Sequence, residues 1–200
     1  MSLPGKPHAP SCDRNQGPIL DVLLKHFSAR KQALEIGSGT GQHAVFFGAA
    51  LPDLTWQTSD RAESLPGIRM WLDEAALPNV LQPLELDVSG PWPRGPYDAV
   101  FTANTLHIMS WPEVQTLFRE LDQVMAPDAV LAIYGPFNYG GKFTSDSNAA
   151  FDTWLKQQYS AASGIRDFEA VDQLARGIGL ELVRDYDMPS NNRTLVWARG

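Results

Sequence analysis

The chain has 200 residues, 44% hydrophobic and 20% charged, an ordinary globular composition at a length that usually makes one domain. Sixteen lysines and arginines against 23 aspartates and glutamates leave a net charge of −7, which argues against a broad nucleic-acid footprint. The one cysteine, Cys12, excludes an internal disulfide and a cysteine zinc cluster, and no apolar run approaches the ~20 residues of a membrane span.

Residues 1–16 read as an N-terminal arm able to fold over a site, with Pro4, Pro7 and Pro10 opposing regular helix through residue 12. The stretch has no apolar core of a secretory signal, so a cytoplasmic location is expected. A helix is expected from Gly17, with Pro18 in its first turn and Ile19, Val22, Leu23 and Phe27 on one face. The apolar run Ala33–Ile36 then meets Gly37, Gly39 and Gly41, and a helical pattern starts at Gln42. That is a buried strand, a tight turn and a helix start. Glycine admits close backbone approach, and the helix start offers unpaired N–H groups to a ligand.

Strand and helix alternate from there. Strands are expected at 54–59, 80–88, 97–104 and 129–134, with Pro83 placing the third strand near an edge. Helices are expected at 63–76, 112–124, 148–159 and 169–178, and a long polar loop at 138–147. Two closing strands, 179–187 and 194–198, are joined by a short turn holding Ser190, Asn191 and Asn192, so the last must run antiparallel. The pattern implies an α/β fold, a single mostly parallel sheet with helices on both faces. Ligands in such sheets sit beyond the carboxyl ends of the strands. Polar residues collect there. Asp60, followed by Arg61, ends the second strand about 20 residues past the last glycine, the place of a ribose-binding carboxylate in nucleotide folds. Asp87 and Val88 close the third strand, and Asn104 and His107 close the fourth.

The spacing E-x-G-x-G-x-G, from Glu35 to Gly41 with Ser38 inside it, resembles the first motif of class I S-adenosylmethionine-dependent methyltransferases, Rossmann-like proteins with a seven-stranded sheet and a reversed last strand. The resemblance implies that Gly37, Gly39 and Gly41 pass beneath the methionine part of S-adenosylmethionine. It implies Asp60 for the ribose, Asp87 and Val88 for the adenine edge, and the backbone of Asn104 for the methionine amino group. S-adenosylhomocysteine would be the product. The segments SCDRN (11–15), EIGSGTGQHAVFF (35–47), YGPFNYGGKFTSDSNAAFDTWL (134–155), GIRD (164–167) and MPSNN (188–192) further resemble the methyltransferase-like protein 26 family.

On the acceptor side, His107 is a general base or a packed, capping histidine. Trp111, Phe137 and Tyr139 form an apolar wall or simply pack. Arg14 and Asn15 can reach over from the arm, and Arg14 suits a carboxylate. Asn192 lies in a turn facing the same rim, where Asn is also a usual turn residue. His43, in the first turn after the glycines, caps or orients the loop. Four scattered histidines form no metal cluster. The segment Ala103–Leu106 lacks the [DN]PP[YF] tetrad of base-amino methylases. The leading expectation is a methyltransferase on a small oxygen or nitrogen acceptor, with no nucleic-acid or membrane partner. The alternatives are a non-catalytic cofactor-binding adaptor and a nicotinamide oxidoreductase, the latter disfavoured by Gln42 where GxGxxG spacing would continue.

Overall fold

A computed structural model describes residues 5–200. Elements run α1 (Pro10–Phe27), β1 (Gln32–Ile36), α2 (Gln42–Ala50), β2 (Thr55–Asp60), α3 (Leu65–Ala75), β3 (Val80–Glu85), β4 (Tyr97–Ala103) and α4 (Trp111–Val124). They continue with β5 (Met125–Gly135), β6 (Phe137–Asn138), α5 (Asp146–Gln158), β7 (Arg166–Asp167), α6 (Phe168–Gly177), β8 (Leu180–Met188) and β9 (Asn192–Arg199). Seven strands form one sheet in the order β3-β2-β1-β4-β5-β9-β8. Pairings from β3 through β5 are parallel, and β9 runs antiparallel to both of its neighbours. This is the Rossmann-like arrangement expected from the alternation, with Pro83 on an edge strand.

Side-chain alternation along the central strands divides the core into two layers. Ala33, Ala99, Phe101, Val130 and Ala132 face α1, α2 and α3, meeting Ile19, Leu23, Phe47 and Ile68. Leu34, Val100 and Leu131 face α4 and α6, meeting Val114, Leu117, Phe118 and Val171. Strands covered on both faces read as continuous apolar runs for this reason. The register brings strand ends level. Ile36 pairs with both Ser59 and Thr102, and Asp60 pairs with Glu85. Gly37, Asp60 and Asn104 therefore stand on one rim, where β1 and β4 diverge to opposite sides of the sheet.

Four expectations need correction. The first helix starts at Pro10, not Gly17, so Ser11–Asn15 is helical and Pro18 lies inside the helix. Pro10 occupies the first turn, where a missing N–H costs nothing. Pro18 removes one later bond, and long-range side-chain bonds of Asp13 and Asn15 anchor the turn before it. Pro4 lies outside the described residues. Second, β3 ends at Glu85, so Asp87 lies in the following loop. Third, β5 begins at Met125, where it pairs with Tyr97, rather than at Ala129. Fourth, the loop at 138–147 is entered through β6, which pairs in parallel with β7. No helix among the described residues is long and apolar enough to cross a membrane.

Phe101 is fully buried in the central strand, 5.4 Å from the Phe47 ring and 5.9 Å from that of Trp56. Phe101→Ala should lower the unfolding free energy by about 3–5 kcal/mol in denaturant titration, the usual cost of an unfilled aromatic site. A loss below about 1 kcal/mol would mean that this layer collapses around the gap.

Candidate functional site

The glycine turn is built on the end of β2. The backbone N–H groups of Gly37 and Ser38 both donate to the Ser59 carbonyl, at 3.0 and 2.9 Å. Glu35, sealed under the turn, accepts at Oε2 from Ser38 Oγ (2.8 Å) and Trp56 Nε1 (3.0 Å). Burial pushes its carboxyl up to about 7, opposed by those two donors and reinforced by Asp60. Its hydrogen bonds face the protein, so Glu35 supports the turn from below. Gly37 has φ 72°, and a Cβ there would stand 2.7 Å from Thr105 Oγ1. A Cβ on Gly41 (φ 92°) would press on Ile68 Cα at 3.2 Å. A Cβ on Gly39 would meet nothing within 4 Å. The outer two glycines thus answer to conformation and packing, while Gly39 borders open space.

Asp60 Oδ2 accepts from Gly39 N at 2.7 Å, and its Oδ1 accepts from Arg61 N at 2.8 Å. The Arg61 side chain turns outward to Glu63. Asp87 is exposed and accepts from Ser89 N, and Val88 is buried beside it. Asn104 is left-handed at φ 56°, with its N–H on the Tyr134 carbonyl at 2.9 Å. Asn tolerates this region better than other side-chain-bearing residues, so the tight turn after β4 suits the residue that occupies it.

Beyond Asn104 lies a cavity of about 530 Å³. Arg14, Asn15, Asn104, His107 and Asn192 all line it, with Tyr134 on its floor. A Cβ on Gly135 would lie 3.6 Å from His107 Nδ1 and 3.9 Å from Asn104 Oδ1, so these polar atoms flank bare backbone. His107 is buried, and burial together with nearby Arg166 lowers its pKa to about 4. Arg166 also fixes the loop that carries it, donating to the carbonyls of Leu106 (3.1 Å), Met109 and Ala162 (3.1 Å). Gly164 N bonds the His107 carbonyl at 2.9 Å, and Ser163 Oγ bonds that of Ile108 at 2.7 Å.

The arm and α1 cover the glycine turn. Ala9 N donates to Gln42 Oε1 at 2.6 Å, Gln42 Nε2 donates to Asp13 Oδ1 at 3.0 Å, and His43 Nε2 meets Asn15 Oδ1 at 2.7 Å. Burial holds His43 near 4, so it joins two helices as a neutral ring. The expected aromatic wall lies elsewhere. Phe137 is buried in the core. Trp111 lines a separate groove between α4 and α6. Tyr139 stacks on Phe168 and donates to Asp185 Oδ2 at 2.7 Å. Each has a stronger apolar or hydrogen-bonding partner away from the rim. Phe151, Trp154 and Tyr159 line the cavity instead. Their signal was the aromatic spacing along and just past α5, the helix that follows the loop after β6. Among the described residues, no group of three histidines, cysteines or carboxylates is placed to hold a metal ion.

A family model described as a protein of unknown function (DUF938) matches residues 6–199. The chain belongs to this family. Solved structures are similar to this DUF938 chain in fold. An O-methyltransferase family protein from Burkholderia thailandensis superposes with a TM-score of 0.81 at 16% identity, over 92% of this chain and 56% of its own. The mitomycin 7-O-methyltransferase MmcR gives 0.76 at 21%, over 87% and 50%, and PigF, solved with SAH, gives 0.77 at 18%, over 91% and 55%. The DUF938 chain spans about half the length of these proteins.

Glu35 predicts a pH signature. Its carboxyl rises from an ordinary 4.5 to about 7 on folding. Between those values the unfolded chain is ionised at this group while the folded one still holds the proton, so Glu35 by itself makes stability fall as pH rises through the window, against the opposite contributions of buried His43 and His107, held near 4 in the fold. Glu35→Gln should remove that falling contribution, so that between pH 4.5 and 7 its stability rises more steeply with pH than that of the wild type in denaturant unfolding. Parallel profiles for both proteins would contradict it.

Proposed function

We propose that this DUF938 chain is an S-adenosylmethionine-dependent methyltransferase acting on an oxygen or nitrogen atom of a small molecule. The observation that carries this reading is the junction at Asn104. There the rim that carries the glycine turn and Asp60 meets the cavity, whose lining includes Asn104 and His107. Two adjoining compartments are what a cofactor and an acceptor require for alignment.

The residues present fit the cofactor. Gly39 leaves open space over the turn, and Asp60 offers carboxylate lone pairs for ribose hydroxyls. Asp87 and Val88 would take the adenine edge, and the Asn104 backbone the amino group. S-adenosylmethionine would supply a methyl group already activated on a sulfonium. The chain's own task is to orient the acceptor, exclude water and accept a proton. His107, uncharged through the neutral range, has a ring nitrogen free to take that proton from the acceptor. Arg166 and Gly164 hold its loop in place. The fold matches to O-methyltransferases support the same reading. The segments that resemble the methyltransferase-like protein 26 family also supply much of this cavity, from Arg14 and Asn15 through Phe151 and Trp154 to Asn192. That placement supports kinship with that family as part of the proposal.

Asp60→Ala should weaken S-adenosylmethionine binding by about 1–3 kcal/mol in calorimetry, the cost of a lost buried hydrogen-bond partner. An unchanged dissociation constant would remove Asp60 from the site. His107→Gln should cut methyl transfer roughly 10²–10⁴-fold while leaving cofactor affinity unchanged. Wild-type kcat/KM should stay flat from pH 8 down to about 5, because His107 gains its proton only near pH 4. An acidic limb centred near pH 6.5 would mean that a different, solvated base is at work.

A further inference from the structure

We propose that the cavity takes a planar aromatic acid, with its ring against Phe151 and Trp154 and its carboxylate on Arg14. This rests on the methyltransferase reading and names the acceptor class for the same site.

Charge is the first observation. The chain carries a net −7, yet the cavity lining holds no carboxylate and one cation, Arg14. The Arg14 side chain makes no ion pair or hydrogen bond among the described residues, whereas most other arginines here are engaged. Two neighbouring amides are already committed. Asn15 is held by His43, and the Asn192 amide donates to the Pro189 and Ser190 carbonyls. An unspent guanidinium in a cavity free of acids selects an anion, and its planar fork suits a carboxylate.

Shape is the second observation. Phe151 and Trp154 stack with ring centres 5.6 Å apart at 15°. The Tyr159 ring meets Trp154 edge-on at 5.9 Å, and His107 meets Phe151 edge-on at 5.3 Å. Trp154 and Tyr159 remain 45% and 53% exposed along this wall. A folded chain gains by covering such rings, and a flat ligand extends an offset stack better than an aliphatic one. The stack begins at His107, so a ring lying on it carries its substituents toward the proposed base. A single cation also makes a poor track for a phosphate backbone, which takes several.

The test uses the 200-residue chain and calorimetric titration with S-adenosylhomocysteine, then with 6-hydroxy-2-naphthoate, its carboxamide and cyclohexanecarboxylate. The naphthoate should bind at least tenfold tighter than the carboxamide, and tighter than cyclohexanecarboxylate. Arg14→Gln should level acid and amide. Trp154→Ala should weaken both aromatic ligands at least fivefold and keep the acid preference. Both side chains are at the surface, and circular dichroism checks that the variants fold. S-adenosylhomocysteine binding without acid preference, or an acid preference that survives Arg14→Gln, would overturn this proposal and leave the methyltransferase reading intact. Acid preference without S-adenosylhomocysteine binding would support the anion site and overturn the methyltransferase reading.

Discussion

The carboxyl group of Glu35, closed off beneath the glycine turn, holds together the part of the structure on which everything else depends. It takes one hydrogen bond from the turn at Ser38 and another from the core at Trp56. Through Ser38 it also fixes β2, because Ser59 N donates to Ser38 Oγ at 3.1 Å. A buried acid is costly unless its lone pairs are satisfied or it keeps its proton. Here both remedies act. The turn is thereby stitched to the ends of β1 and β2, and Gly39 is left facing outward. Asp60 then closes onto Gly39 from the strand it ends.

The second constraint is the cover supplied by α1. Its first turns are secured by Gln42 and His43, residues of the helix that follows the glycines. Ahead of it, the Pro7 carbonyl accepts from Trp71 Nε1 at 2.7 Å, and Lys6 lies 3.8 Å over the Trp71 ring. Residues 6–9 are thus laid across α2 and α3, and Arg14 is delivered to the cavity as a consequence. The opposite wall depends on Arg166. It satisfies backbone carbonyls of the His107 loop that otherwise have no regular partner. Asp152 accepts from Ile165 N at 2.8 Å and so ties the same segment to α5. One set of bonds therefore positions both His107 and the aromatic face of α5.

The sheet was legible because its residues obey local rules. The near-continuous apolar runs Ala33–Ile36 and Ala99–Phe101 report strands covered on both faces. The short Pro189–Asn191 connection has room for a single 3₁₀ turn and no crossover helix, which forces β9 to reverse. The glycine turn was legible because the positive φ values at 37, 39 and 41 exclude most other residues. What failed depended on distant partners. Pro10 looked like a breaker of helix and is in fact its first residue, stabilised by bonds to residues about 30 positions away. Phe137 and Tyr139 sit beside the rim in sequence, but the direction of a side chain after a strand end is set by what awaits it, the core for one and Asp185 for the other. Phe151 and Trp154 showed helical spacing, with nothing local to say which surface that stripe would meet.

Hydrogen exchange of the intact protein, with and without saturating S-adenosylhomocysteine, tests the central claim most directly. The account predicts added protection at residues 37–41, 60–61, 87–88 and 104–107, and little change in the α4–α6 groove. Exchange that is unaltered along this rim, or protection confined to another surface, would contradict it.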